Sequence, residues 1–101
     1  MYRALPDTRG VVGVAVGIVV DALAREARLL RAKLRMYETR ISRLEEKYGM
    51  SSSVFLEKFE RGELGDDEDY FLWWSYLRAR RVIEERLREL EKELQRLQRL
   101  R

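Results

Sequence analysis

Two long stretches of this chain place apolar residues alternately four and three positions apart, and this period constrains the fold most strongly. Residues at that spacing form one seam along an α-helix, as in a coiled coil or a helical hairpin. Because neither helix can bury its seam alone, we predict an all-α fold of two long antiparallel helices. The seam positions are Val16, Val20, Leu23, Ala27, Leu30, Leu34, Tyr37, Ile41, Leu44 and Tyr48 in the first stretch and Trp73, Tyr76, Arg80, Ile83, Leu87, Leu90, Leu94 and Leu97 in the second.

The residues between the two stretches predict a short helix bounded by turns. Gly49 ends the first long helix, the serines at 51–53 offer N-cap oxygens, and Gly62 ends the short helix in the left-handed conformation. Asp66 or Asp67 can then cap the second long helix. The predicted segments are an N-terminal apolar segment at 1–20, a first long helix at 21–49, a short helix and turn at 50–65, and a second long helix at 66–101.

The N-terminal segment contains ten consecutive uncharged apolar or glycine residues, at 11–20. Its β-branched residues would suit a strand that pairs with its copy in a dimer, whereas Gly13 and Gly17 would let a partner helix approach closely. We favour a helix from about residue 13, since Val16 and Val20 extend the seam. Ten residues are too few for a membrane span, which needs about 20, so no membrane is expected as a partner.

A core of only two helices is thin, so we expect the chain to dimerise, or to form a higher oligomer, as a helical bundle. The apolar segment and the first half of the seam are the expected dimer contacts. The predicted dimerisation residues are Val12, Val16, Val20, Leu23, Leu30 and Leu34.

The composition removes most enzyme chemistry. The chain has no Cys and no His, which excludes disulfides, thiol nucleophiles, thiolate and imidazole metal sites, and histidine general bases. Four consecutive acids at 66–69 could hold a divalent cation, but their spacing is not that of an EF-hand loop, and we interpret them as a helix start. The sequence therefore predicts no catalytic, cofactor-binding or metal-binding residue, and no enzyme.

Aromatic side chains are concentrated where the short helix meets the second long one, beside a block of five acids at 63–69. Such a patch can close the end of a hairpin, or it can supply aromatic anchors and an acidic rim for a basic partner. Trp73 and Trp74 point about 100° apart on a helix, so at least one is expected to be available for binding. The predicted partner-binding residues are Phe55, Phe59, Asp66, Asp67, Asp69, Tyr70, Trp73, Trp74 and Leu77.

Arg80 breaks the second seam. It could fix register by meeting a carboxylate of another helix. The favoured interpretation is that the helix rotates slightly, so that Leu77 and Val82 face inward and Arg80 extends to water.

The middle of the chain resembles short helical antitoxin-like proteins of archaeal and bacterial type II toxin–antitoxin modules. The residues that carry the resemblance are the run from Lys47 to Ser52, the segment from Phe55 to Phe59, the acids at 66–69 and the Trp73-Trp74 pair. The resemblance covers about residues 40–90. It implies an intracellular, cytoplasmic protein without enzymatic activity that binds and neutralises a small basic toxin. The family pattern often has an acid after the serines that completes a capping box, and this chain has Val54 there.

Two other functions fit the sequence. Its 17 arginines, against four lysines, could bind nucleic acid through helix faces such as the one that carries Arg25, Arg28, Arg31 and Arg35 or the one that carries Arg78, Arg81 and Arg88. The net charge of +3 is small for that purpose, and we favour a protein partner. The third possibility is a self-assembling structural coiled coil with no other ligand.

Overall fold

The structure is a computed structural model that describes residues 9–100. It contains three helices, α1 at Arg9–Tyr48, α2 at Ser52–Glu60 and α3 at Glu68–Gln98. Helices α1 and α3 pack against each other as a hairpin, and α2 lies in the connection between them. The prediction of an all-α hairpin is confirmed, and no strand occurs among the described residues. Dimerisation stays a prediction.

The helix boundaries follow the residues that predicted them. Gly49 and Gly62 have φ angles of 61° and 70°, the left-handed conformation that glycine adopts without a side-chain penalty. The Ser51 hydroxyl accepts a hydrogen bond from the Val54 N–H and caps α2. The Asp67 carboxylate accepts one from the Asp69 N–H at 2.8 Å and caps α3.

The predicted seam is the core of the hairpin, since every one of its positions is buried or half-buried. One buried cluster lies in the middle of the hairpin and joins Ala27 and Leu30 of α1 to Ile83, Leu87 and Leu90 of α3. A second cluster lies at the α2 end. Its buried members are Ile41, Leu44, Phe55, Trp73 and Leu77.

Helix α1 is longer than α3, with 40 residues against 31. At 1.5 Å per residue these lengths are about 60 Å and about 46 Å. The molecule is correspondingly elongated, with principal dimensions of 81 × 22 × 20 Å. Val20 is the first buried residue of α1, and the described residues before it are exposed or half-buried. We call this segment, residues 9–19, the α1 extension.

The α1 extension is helical, so the alternative of a strand at 11–20 is wrong. The helix also begins at Arg9, earlier than the predicted residue 13. Each residue that prolongs an existing helix gains a backbone hydrogen bond, and the propensity penalty of a valine is only a few tenths of a kcal/mol. Propagation from the long seam behind it therefore outweighs the β-branched composition.

Candidate partner-binding surface

The aromatic cluster has a buried part that belongs to the core. The rings of Phe55 and Trp73 stack at 4.0 Å between centroids, with 5° between their planes, and both side chains are 0% exposed. Leu77 is also buried, and Tyr70 is half-buried with its ring 6.0 Å from Phe55. Of the predicted partner-binding residues, Phe55, Trp73 and Leu77 therefore hold α2 against the hairpin.

A hydrogen-bonded chain through Ser52 joins all three helices beneath this stack. The Trp73 indole N–H donates to Ser52 Oγ at 3.0 Å, and Ser52 Oγ donates to Glu45 Oε2 at 3.0 Å. The Ser52 backbone N–H donates to the same carboxylate oxygen at 2.9 Å. The buried indole N–H and the Ser52 hydroxyl that accepts from it are each hydrogen-bonded to a polar group of another helix.

Sequence reasoning missed Glu45 as part of this region. Ser51 supplies one half of a capping box, and Val54 stands where an acid would complete it. The Glu45 carboxylate of α1 instead accepts from the first N–H of α2. The only signal in the sequence was a cluster of three serines that begins five residues after two glutamates, which does not specify the pairing.

Two of the five acids in the acidic block, Asp67 and Asp69, stabilise the start of α3. Asp67 caps the helix, and Asp69 Oδ2 accepts hydrogen bonds from Lys47 Nζ at 2.6 Å and from the Tyr48 hydroxyl at 2.7 Å. The Lys47 and Tyr48 hydrogen bonds lower the pKa of the Asp69 carboxyl. The same contact with Asp69 raises the pKa of Tyr48 and that of Lys47. These two aspartates tie the end of α1 to the start of α3.

The exposed aromatic residues form a separate surface, which we call the aromatic face. Phe71, Trp74, Arg78 and Val82 follow one another at spacings of three and four on α3, so they lie on one side of that helix. Phe59 of α2 contacts the rings of Phe71 at 5.8 Å and Trp74 at 6.3 Å.

The aromatic face continues into a shallow groove between α2 and α3. Leu56 lies on its α2 side, and Trp74 and Val82 lie on its α3 side. The Arg78 guanidinium covers the Trp74 ring at 4.8 Å from the centroid. Trp74 is half-buried and Phe71 is 55% exposed, so these side chains present apolar area at the surface. Trp74 is the less buried of the two tryptophans, and its availability for binding stays a prediction.

The predicted dimerisation residues divide into two groups. Leu30 is buried, and Leu23 and Leu34 are half-buried against the α1–α3 core. Val20 is buried, Val16 is half-buried and Val12 is exposed. The five residues at seam positions are therefore buried or half-buried within one chain, and Val12 is the exposed member of the set.

The arginine faces are partly neutralised by carboxylates of the same chain. Arg31 pairs with Glu91 at 3.3 Å across the hairpin, and Arg81 pairs with Glu85 at 3.3 Å on α3. Arg78 lies over Trp74. These contacts distribute both signs of charge over the same surface, which is not the continuous basic stripe that phosphate backbones favour.

Within residues 9–100 there is no cluster of three or more acids that could hold a metal ion. None of the described helices is long and apolar enough to cross a membrane. No protein-family model, curated protein or solved structure matches this chain. The functional argument is therefore built on the surfaces described above.

Proposed function

We propose that this chain is a non-enzymatic interaction protein that binds a basic partner protein through the aromatic face and the acidic turn before α3. The observation that carries the proposal is the exposure of Phe71 beside Trp74 and Phe59. Apolar and aromatic side chains at the centre of a contact contribute most of the binding free energy in typical interfaces. A fully structural cluster would have buried them together with Phe55 and Trp73.

The charge beside the aromatic face favours a basic partner. Residues 63–70 carry five acids and no base. Although Asp67 and Asp69 are engaged in the fold, Asp66 and Glu68 are exposed. Acids at the rim of an apolar contact accelerate association with a basic protein and disfavour acidic ones.

A small basic toxin is the partner class that the resemblance to antitoxin-like proteins implies, and we carry it forward as part of the proposal. An antitoxin of this kind would act by covering the toxin with its surface, which requires no catalytic group. The mixed charge of the arginine faces supports a protein partner over a nucleic acid.

The test is co-expression with the product of the neighbouring gene, followed by size exclusion with light scattering. We expect a stable complex that is weakened at least about tenfold by Phe71→Ser and by Asp66→Lys. Asp66 is preferable to Asp67 for the charge reversal, because Asp67 caps α3 and its loss would perturb the fold.

Leu29→Ser is the matched control, since Leu29 is 56% exposed but lies on α1 beside the other core cluster. It should leave the affinity unchanged. Equal affinities for the wild type, Phe71→Ser and Asp66→Lys would refute the proposed surface.

A further inference from the structure

Helix α1 carries a second line of mostly apolar residues, on the side that faces away from α3. Its eight members recur at spacings of four and three, one of them is an arginine, and all are exposed. At 100° per residue they lie about 150° around the helix from the seam that packs against α3. We call this line the outer stripe, and its members are Val11, Ala15, Ile18, Ala22, Arg25, Leu29, Ala32 and Met36.

The outer stripe has the width and the period of a coiled-coil seam. Its larger side chains present apolar area, since Val11, Ile18 and Leu29 are 68%, 65% and 56% exposed. The stripe runs for about 38 Å along α1, and charged residues such as Asp21 and Arg28 flank it. A lipid surface would have to accommodate those charges, whereas a second helix can cover the stripe and form ion pairs with its flanks.

Two copies in parallel would bring like charges together along the outer stripe. In a parallel, in-register coiled coil, a residue on one flank of the seam meets the residue five positions later in the other helix. Those pairs are Asp21 with Glu26, Arg28 with Lys33 and Arg35 with Arg40. Each pair would occur twice in a symmetric dimer, so the flanking charges oppose the parallel orientation.

One antiparallel register matches the whole outer stripe with itself, and its twofold axis lies level with the Leu23–Ala24 peptide bond. Each contact then occurs twice, as a twofold symmetric interface requires. A shift of the register by one layer in either direction would leave Val11 or Met36 without a stripe residue opposite it. The pairs in the matched register are Val11 with Met36, Ala15 with Ala32, Ile18 with Leu29 and Ala22 with Arg25.

The same register places opposite charges side by side. In an antiparallel pair the residues on the same flank of each seam face one another, so Asp21 of one copy lies level with the interval between Arg25 and Arg28 of the other. The shifted registers would instead place Asp21 beside Asp21, or Arg28 beside Arg28. These three side chains are exposed, and none of the ion pairs formed within residues 9–100 uses them.

We propose that two copies of this chain dimerise through their outer stripes as an antiparallel coiled coil, with Asp21 of each copy facing Arg25 and Arg28 of the other. Each α3 lies on the outer side of the pair, because it packs on the opposite side of α1. The α2 ends, and with them the aromatic faces, lie at the two ends of the dimer. Dimerisation and partner binding therefore use separate surfaces, so either proposal can fail without the other.

Sedimentation equilibrium of the full-length chain measures the dissociation constant of the dimer. Leu29→Gln should weaken the dimer at least about tenfold, because it removes apolar area from both layers in which Leu29 meets Ile18. Leu72→Gln is the matched control, since Leu72 is 39% exposed but lies on α3, and it should leave the constant unchanged. A wild-type chain that stays monomeric up to millimolar concentration would overturn the proposal, as would equal constants for the wild type and Leu29→Gln.

A mixing experiment tests the orientation and the register. Asp21→Arg gathers three cations at each charged contact, and the double variant Arg25→Glu with Arg28→Glu gathers three acids there. Each variant alone should therefore dimerise at least about tenfold more weakly than the wild type. An equal mixture of the two restores opposite charges across the antiparallel pair and should associate with close to the wild-type constant.

The parallel orientation gives the opposite result for one of these variants. In a parallel pair Asp21→Arg would replace the repulsion from Glu26 by an attraction and would strengthen the dimer. Either that result or a mixture as weak as its separate components would overturn the antiparallel register. Circular dichroism separates loss of association from loss of helix, and all the exchanged residues except Asp21 are good helix formers.

Discussion

The indole of Trp73 is covered on one face by the ring of Phe55, parallel to it at 4.0 Å, while its N–H reaches Ser52 Oγ at 3.0 Å. One side chain of α3 thus contacts α2 by ring stacking and by a hydrogen bond. Aromatic pairs in such contacts contribute about 0.5–1.5 kcal/mol beyond the area that they bury. Trp73 is therefore the main attachment of the short helix to the hairpin.

We predict that Trp73→Ala lowers the free energy of unfolding by about 3–5 kcal/mol, because it empties a fully buried site. Trp74→Ala should cost about 1 kcal/mol, since Trp74 is half-buried and loses mainly the Arg78 and Phe59 contacts. Urea denaturation followed by circular dichroism measures both. Equal losses for the two variants would contradict the division between core and surface.

Ser52→Ala should lower the free energy of unfolding by about 1–3 kcal/mol. The hydroxyl bridges Trp73 Nε1 and Glu45 Oε2, and its removal leaves a buried indole N–H without its acceptor. Ser53→Ala is the matched control because Ser53 is an exposed neighbour in the first turn of α2. The control should change stability by less than about 0.5 kcal/mol. A Ser52→Ala variant as stable as Ser53→Ala would show that the bridge is energetically neutral.

The Asp69 carboxylate should make the stability of the fold depend on acid pH. Its pKa is lowered in the folded state, chiefly by the Lys47 hydrogen bond and then by that of Tyr48. A lowered folded pKa adds stability above the unfolded value, about 3.9 for Asp, and that stability is lost as the pH falls through the folded value. We therefore predict that the stability advantage of the wild type over Asp69→Asn is present at pH 7, begins to shrink near pH 4 and is lost as the pH falls further through the folded pKa.

Thermal melts of the two proteins between pH 7 and pH 2 measure this difference. Asp66→Asn serves as the control, because Asp66 is exposed and should show no comparable pH-dependent difference from the wild type. A gap between wild type and Asp69→Asn that stays constant down to pH 2 would mean that the carboxylate charge is not what stabilises the contact.

The long helices were predictable because their information is repeated. Ten apolar residues from Val16 to Tyr48 follow the same period, so an error at one position does not alter the assignment. Turn residues such as Gly49 and Asp67 were also predictable, since a left-handed φ and an N-cap each restrict the residue type.

The interior of the aromatic cluster was not predictable in the same way. The seam period places Trp73 inward and Trp74 to one side of it, but the stacking of Phe55 on Trp73 and the partial burial of Trp74 depend on where α2 lies against α3. The Glu45–Ser52 contact depends on the same placement, and its partners belong to different helices. The early start of α1 was harder to predict, because the residues before Val20 are mainly valines and glycines, which have low helix propensity. The seam of α3 ends at Leu97, so it gives no matching pattern for this part of α1.

Arg80 provides the last prediction, because it is a charged residue at a seam position and it pairs with a carboxylate of its own helix. Its guanidinium lies 3.5 Å from Glu84 on the same helix, and its side chain is 35% exposed. This agrees with the interpretation that Arg80 extends to water. The accompanying expectation for the apolar neighbours is half right, because Leu77 is buried and Val82 is 64% exposed.

A surface pair of this kind contributes little, about 0–1 kcal/mol, whereas a leucine at the same position would add apolar burial to the seam. We therefore expect Arg80→Leu to leave stability unchanged or to raise the free energy of unfolding by about 1 kcal/mol. Glu84→Gln is the companion variant, which removes the pair but keeps the arginine and should change stability by less than about 0.5 kcal/mol. Denaturant unfolding of both variants measures the effect. A loss of more than about 1 kcal/mol in Arg80→Leu would mean that the arginine fixes the register of the two helices. An arginine that only extends to water could be replaced without such a loss.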